Sequence, residues 1–187
     1  IQLGDSLKKV DKKGANARLM YKKAAALDGE NAVAYQKIAQ SFVVDYSNER
    51  SDKYLDSVIV YSNKARKLDP KFTDAYAWEV AAYRAKWRHG MSRKGLMKAI
   101  QHLPDDPEIL MLLGRNYFDT GNPGLALPYL KKSIELGGEN APGVAYRFAG
   151  WCWFYLENHE KQLEYFNQFR EIDPKSLMGI AGQVHSY

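Results

Sequence analysis

The residues that could carry catalysis or hold a metal are few and scattered. The four histidines lie far apart, at His89, His102, His159 and His185. None is spaced from another histidine, a cysteine or a carboxylate as zinc ligands are in a motif such as HExxH. His159 is followed directly by Glu160, but no second histidine follows at that spacing. The sequence therefore predicts no metal site and no cofactor.

The single cysteine and the paired carboxylates also lack the context that catalysis requires. Cys152 lies between two tryptophans in an apolar segment, whereas a reactive thiol needs a neighbouring base or an electropositive helix start. In the pair Asp105-Asp106, the second carboxylate precedes a proline and is placed to cap a helix. The chain also lacks phosphate-binding glycine motifs and the nucleophile elbow. We expect a protein that is not an enzyme, without an intramolecular disulfide.

The composition is ordinary for a globular protein, with 45% hydrophobic and 26% charged residues in 187. No run approaches the 18 apolar residues typical of a membrane-spanning helix. The formal net charge of +5 equals the excess within residues 1–25, where seven basic residues meet two acidic ones. A second basic cluster, Arg84–Lys98, lies in a stretch without acids between Glu79 and Asp105. Such clusters can bind nucleic acid or anionic membranes, but a solvated helix face explains them more simply.

Helix-breaking residues recur with a period of about 34. Pro70, Pro104, Gly138 and Pro174 each follow an amphipathic stretch, and their spacings are 34, 34 and 36 residues. Gly29 precedes Pro70 by 41 residues. Each full interval holds two amphipathic segments with helical periodicity, and sustained strand-type alternation is absent. This pattern predicts an all-α chain of about five helix pairs.

The clearest helix pair follows Pro104. Its first segment places four packing residues on one helical face: Leu110, Leu113, Gly114 and Tyr117. Asp106-Pro107 and Asn122-Pro123 each provide an N-cap residue followed by proline at the first helical position. Gly137-Gly138 is expected to end the second helix in a left-handed C-cap.

These helix pairs resemble the tetratricopeptide repeat (TPR). Its first helix carries an aromatic residue, Leu-Gly and a second aromatic, and its second helix carries Ala, an aromatic, Ala and a closing Pro. The repeats lie near 1–31, 32–72, 73–106, 107–142 and 143–176, and residues 177–187 would begin a final helix. The resemblance covers nearly the whole chain. It implies a single domain over 1–187, a right-handed α-solenoid of stacked antiparallel helix pairs.

Two departures from the repeat length carry structural expectations. The repeat at 32–72 has about seven extra residues near 46–52. They could form a polar loop, but seven residues are close to two helical turns, and an extended helix pair is favoured. The segment 137–143 is two residues longer than usual, which suggests a looser joint.

The resemblance further implies a protein-interaction module with a concave groove. A second stripe on each first helix, offset by one residue from the packing stripe, would face this groove. Tyrosine, tryptophan and arginine dominate interface hot spots, and arginine binds carboxylates through two parallel hydrogen bonds. We therefore expect a peptide or protein segment with acidic and apolar side chains. The candidate groove residues are Trp78, Arg84, Met111, Arg115, Phe118, Arg147, Trp151, Phe154 and Tyr155.

Alternatives remain at this stage. Trp151 and Phe154 could be core residues, because residues 150–156 are apolar on every face. The chain begins without Met, so we expect a fragment or processed chain, which could be a regulatory or sensory segment of a larger signalling polypeptide (kinase, cyclase or transcription regulator). Self-association through the solenoid ends is a further option, and a cytoplasmic location is slightly favoured. Nucleic acid is not the expected partner. A chaperone tail is not expected either, because Gln36, Gln40 and Met111 occupy positions where a clamp for its terminal carboxylate needs Lys or Asn.

Overall fold

The computed structural model describes residues 1–2 and 14–174, and every regular element within them is helical. The predicted helix start at 177–187 and most of the basic N-terminal stretch lie outside the described residues. Nine complete α-helices fall inside them: α1 (Ala15–Leu27), α2 (Ala32–Glu49), α3 (Asp52–Leu68), α4 (Thr73–Ala85), α5 (His89–His102), α6 (Pro107–Asp119), α7 (Pro123–Gly137), α8 (Gly143–Tyr155) and α9 (His159–Ile172). A 3-10 turn at Gly138–Asn140 follows α7.

The helices belong to two compact units, Ile1–His102 and Leu103–Tyr187. In the first unit, each of α1 to α4 packs against the next helix, and α2 also contacts α4. In the second unit, α6 packs on α7, α7 on α8 and α8 on α9, while α6 also contacts α8. Short connections between packed neighbours produce antiparallel pairs. The pairs are α2–α3 and α4–α5 in the first unit, and α6–α7 and α8–α9 in the second.

Several helix starts follow from the local sequence. The side chain of Asn31 accepts a hydrogen bond from the backbone N–H of Ala34 at 2.9 Å. Asp106 caps α6 by accepting from the N–H of Ile109 at 3.0 Å, with Pro107 at the first turn. These side chains satisfy backbone donors that have no partner within the helix. The Asp-Pro prediction at 106–107 is confirmed.

Two predicted caps have a different geometry. Asn122 does precede Pro123 at the start of α7, but its side chain makes no capping hydrogen bond. Its amide donates instead to the carbonyl of Thr120, the residue that caps the C-terminal end of α6, at 2.7 Å. Gly138 has φ 51° and ψ −126°, so the predicted left-handed C-cap is wrong. The chain continues from there into the 3-10 turn.

The additional residues of the second repeat extend both of its helices. α2 has 18 residues and α3 has 17, whereas α4 and α5 have 13 and 14. Only Arg50 and Ser51 connect α2 to α3. The ring of Phe42 stacks on Tyr61 with centroids 5.8 Å apart, which packs one helix of this pair against the other. The favoured prediction of an extended helix pair is confirmed.

Small residues set the closest approach between paired helices. Gly114 of α6 lies against Leu130 of α7, and a Cβ atom on the glycine would be 2.6 Å from Leu130 Cγ. In the next pair, a Cβ on Gly150 would be 3.0 Å from a ring carbon of Phe166. Leu130 and Phe166 are fully buried. Glycine is therefore needed here because the facing helix leaves no space for a side chain.

Candidate functional site

A pocket of about 370 Å³ lies between the two first helices of the second compact unit. α6 and α8 contact each other and supply the lining residues that belong to the described part of the chain. These residues are Arg115, Phe118, Arg147, Phe148, Trp151 and Tyr155. The structure thus brings together five of the nine candidate groove residues, together with one that sequence reasoning missed.

Both arginines lie over the same aromatic ring. The guanidinium carbon of Arg115 is 5.0 Å from the centroid of Phe148, and that of Arg147 is 5.2 Å from it. Arg147 is also 5.9 Å from the ring of Phe169 on α9. Stacking on a ring attracts the cation and restricts the orientation of its planar group. The pocket therefore contains two positively charged groups held on an aromatic wall.

One carboxylate lies near these cations. Asp119 Oδ2 is 3.9 Å from Arg115 Nε, one helical turn further along α6. The side chains of both residues are partly exposed, at 25% for Arg115 and 20% for Asp119. Exposed pairs of this length contribute little and are screened by salt. Among the described residues, those that line the pocket include two arginines and no carboxylate.

Aromatic side chains continue the wall along α8. Phe118 meets Phe148 edge to face at 5.1 Å and Tyr155 at 5.8 Å between ring centroids. Trp151 is half-buried, with its ring packed edge to face on the buried Phe166 at 5.3 Å. Trp151 therefore packs against the core and also lines the pocket. The sequence interpretations of Trp151 as a groove residue and as a core residue each describe part of its position. Tyr155 is 62% exposed.

Phe154 does not line this pocket but belongs to an adjoining surface. It lies with Tyr155, Glu157 and His159 around an open depression of about 540 Å³. Its ring is edge to face with both Trp151 and Tyr155, at 5.7 and 5.3 Å. Tyr155 lines both hollows, so the aromatic surface of α8 is continuous.

The remaining candidates lie elsewhere. Met111 is buried at 7% exposure and lines no part of the α6–α8 pocket. Trp78 and Arg84 belong to α4 in the first compact unit. Trp78 lines a separate apolar pocket of about 130 Å³ with residues of α2 and α3, including Val43 and Tyr46. Arg84 is half-buried near the C-terminal end of α4.

Phe148 is the pocket residue that sequence reasoning missed. It is only 8% exposed, as a packing residue would be, yet its ring contacts both arginines. A signal was present in the sequence, because Phe148 follows Val144 by four residues and precedes Trp151 by three. That spacing places it on the same helical face as Val144 and the candidate groove residue Trp151.

A buried ion pair lies in the first compact unit. Glu79 of α4 is 4% exposed and accepts a hydrogen bond from Arg66 Nε at 3.2 Å. Asn63 also donates to this carboxylate, at 3.5 Å. Burial raises the pKa of Glu79 above its ordinary value, and this outweighs the opposing effect of Arg66. The arrangement ties α3 to α4.

Two other potentially reactive side chains are buried or lie within hydrogen-bonding distance of a neighbour. Cys152 is fully buried, and burial raises the pKa of its thiol to about 12. His159 Nδ1 is 3.1 Å from the side-chain oxygen of Gln162. Within the described part of the chain, no group of three or more His, Cys, Asp or Glu residues could hold a metal. In the same part, none of the helices has the length and apolar character needed to cross a membrane.

A family model described as tetratricopeptide repeat matches residues 107–137, which form α6 and α7 with the turn between them. No curated protein sequence matches the chain. Solved structures match over nearly its full length. TTC0263, a thermophilic TPR protein of Thermus thermophilus, has a TM-score of 0.70 at 14% identity, covering 99% of this chain and 95% of that one.

Two further structures share the architecture. MamA 41-end from Desulfovibrio magneticus RS-1 has a TM-score of 0.65 at 14% identity, with 94% of this chain and 96% of that chain covered. The APC/C hetero-tetramer Cut9-Hcn1 has a TM-score of 0.73 at 17% identity, covering 98% of this chain and 35% of that one. Identities this low show the fold alone. The chain has the all-α helical repeat solenoid fold of tetratricopeptide-repeat proteins, as the sequence predicted, and its residues 107–137 match the model of that repeat.

Proposed function

We propose that the chain is a non-catalytic protein-interaction module whose α6–α8 pocket binds a peptide segment. The segment would present an acidic side chain next to an apolar one. The tetratricopeptide-repeat fold suggests protein or peptide partners in general. The observation that carries the specific proposal is the pair of guanidinium groups over Phe148, within a pocket whose other walls are aromatic.

Charge favours an acidic ligand. Among the described residues, two arginines line the pocket, and the carboxylate of Asp119 lies beside one of them, 3.9 Å from Arg115. A carboxylate brought between the helices would accept charge-assisted hydrogen bonds from a planar donor already oriented by the ring. A donor oriented before binding loses less conformational entropy when the ligand arrives.

The size and lining of the pocket favour an apolar neighbour to that acid. A volume of about 370 Å³ is within the lower range of ligand pockets and accommodates one or two side chains. Phe118 and Trp151, which are half-buried, and the exposed Tyr155 supply an aromatic surface of the kind found at the centre of interfaces. The peptide would bury its apolar side chain there, and its carboxylate would bind the arginines.

The test uses two pools of synthetic decapeptides. One pool varies Asp and Glu among Leu, Ile and Phe, and the other has Lys in place of every acid. Fluorescence anisotropy with labelled pools should show binding of the acidic pool and weaker binding of the basic pool. Arg147→Glu reverses one charge in the pocket and should weaken binding by about tenfold or more.

A matched control distinguishes binding in the pocket from general electrostatic attraction to the protein surface. Lys131→Glu makes the same charge change at an exposed position of α7 and should leave binding almost unchanged. Both variants would be compared with the parent by circular dichroism. Preference for the basic pool, or equal losses in the two variants, would contradict the proposal. The role as a regulatory segment of a larger signalling polypeptide stays a prediction, in which the ligand would be another part of that polypeptide.

A further inference from the structure

The first helices α4, α6 and α8 end in the same backbone motif. After α4, the N–H of Trp87 donates to the carbonyl of Arg84, and the N–H of Arg88 donates to that of Tyr83, both at 2.9 Å. The corresponding pairs of hydrogen bonds follow α6 and α8, at 2.9 to 3.0 Å. This is the Schellman motif, in which the residue after the cap adopts a left-handed conformation.

The residue at the left-handed position differs among the three turns. It is Trp87 after α4, Gly121 after α6 and Glu157 after α8, with φ of 57°, 74° and 57°. Glycine is the usual residue because it has no Cβ to clash with the backbone, and a bulky side chain is disfavoured there. Trp87 is also 84% exposed. Packing within the protein therefore does not account for a tryptophan at this position.

Basic residues surround this turn. Between Glu79 and Asp105 the sequence has no acidic residue, and the Trp87 turn, defined here as residues 84–94, is densely cationic. From α3, Asp56 and Asp52 lie 2.6 and 3.5 Å from Lys86 Nζ, and the side chain of Lys86 is only 7% exposed, so this lysine adds nothing to the positive charge that a ligand would meet. Met91, at the first turn of α5, adds a second apolar side chain at 47% exposure. The other cationic side chains of the turn are Arg84, Arg88, Arg93 and Lys94.

We propose that the Trp87 turn docks on an anionic lipid surface. The indole of Trp87 would enter the headgroup region, where tryptophan is favoured by its apolar ring and polar N–H. Arg88 and its basic neighbours would contact lipid phosphates and carboxylates. Charge complementarity and an exposed apolar tip on the same turn support this one type of partner. The contact would be reversible, because a single side chain and a basic patch give weak anchoring.

The geometry favours a lipid surface over nucleic acid. Binding of single strands relies on successive aromatic side chains along a basic groove. Trp87 instead stands at the tip of a turn, and its ring neighbour is His89, edge to face at 6.0 Å. A projecting indole matches insertion into an interface better than stacking between bases.

Co-sedimentation with vesicles tests the proposal directly. The chain should bind vesicles of phosphatidylcholine containing about one third phosphatidylserine, and it should bind pure phosphatidylcholine at least about tenfold less. Binding should fall as salt is raised, because screening weakens the contribution of the basic residues. Brominated lipids should quench part of the tryptophan fluorescence.

Trp87→Gly is the informative variant because the motif itself prefers glycine. It should unfold at the same or a higher temperature than the parent, yet bind anionic vesicles at least about fivefold less and lose the quenching by brominated lipid. Leu27→Ala, which removes a side chain that is 91% exposed on α1, is the matched control and should bind as the parent does. Arg88→Glu should weaken binding, whereas Lys67→Glu at an exposed position of α3 should not.

Three results would overturn the proposal. The first is equal binding to anionic and neutral vesicles, and the second is full binding by Trp87→Gly. The third is binding to a polyuridine oligonucleotide without binding to vesicles, which would assign the turn to single-stranded nucleic acid. The α6–α8 pocket is intact in all these variants, so decapeptide binding is measured in parallel and its outcome is independent.

Discussion

Replacing Gly114 by alanine should destabilise the protein, although alanine is the better helix former. The new Cβ would be 2.6 Å from Leu130 Cγ and 2.8 Å from its Cδ2. It would also be 3.1 Å from the carbonyl oxygen of Ala126, which belongs to the backbone of α7. Leu130 is fully buried and has no exposed side into which it could rotate. Relief therefore requires α6 and α7 to separate.

The expected magnitude follows from two opposing contributions. Alanine in a helix interior is favoured over glycine by up to about 1 kcal/mol. Overpacking a well-filled core costs about 1–3 kcal/mol, and contact with fixed backbone places Gly114 in the upper part of that range. The free energy of unfolding should thus fall by about 1–2 kcal/mol, mainly through the α6–α7 contact.

The assay is urea denaturation followed by circular dichroism, with the midpoint and the extrapolated free energy both compared. Gly124→Ala is the control, because a Cβ at Gly124 of α7 would meet nothing within 4 Å. It should be neutral or slightly stabilising. In a Leu130→Ala background, the cost of Gly114→Ala should become smaller, since the two nearest atoms are gone and only the contact with the Ala126 carbonyl oxygen remains. A Gly114→Ala protein as stable as the parent, or an undiminished cost in that background, would refute the steric argument.

Two further predictions concern buried titratable groups. Cys152 is fully buried, and its thiol pKa is raised to about 12. It should therefore resist iodoacetamide in the native protein at about pH 8 and react only after denaturation. Rapid labelling of the native protein would contradict its burial. Because burial raises the pKa of Glu79 above 4.5, the folded state binds its proton more tightly than the unfolded state. The stability that Glu79 contributes is then fully present below about pH 4.5 and is lost as pH rises through the folded pKa. The parent's free energy of unfolding minus that of Glu79→Gln should therefore decrease as pH rises over that interval, as measured by urea denaturation at a series of pH values. A difference that stays constant with pH would contradict the direction of the pKa shift.

Much of the fold could be predicted from the sequence because its determinants are local. Breakers such as Pro104 and the capping pair Asp106-Pro107 mark helix boundaries, and the 34-residue period relates one pair to the next. The same local logic identified the extension of α2 and α3. It failed at Asn122, where the choice between two hydrogen-bond partners depends on how the preceding helix ends.

The candidate site was predictable only in part because exposure depends on neighbouring helices. Arg115, Arg147 and Trp151 share a pocket, as their spacing on the first helices implied. Met111 fits the same stripe by spacing but is buried. Phe148 was missed for the opposite reason. A side chain that is buried like a core residue can still form the wall of a pocket. Burial of this kind is set by tertiary contacts and cannot be obtained from periodicity.

The recurring motif after α4, α6 and α8 has a consequence for how such a chain can change over evolutionary time. The backbone hydrogen bonds fix the turn, so the side chain at the left-handed position, as at Trp87, has little influence on the packing of the helices beside it. Mutation there can exchange an aromatic ring, a glycine or an acid while the repeat array keeps its core. For the protein engineer, Trp87 and Glu157, which already carry a side chain in this conformation, are attachment points for a dye or cross-linker that need no redesign of the fold.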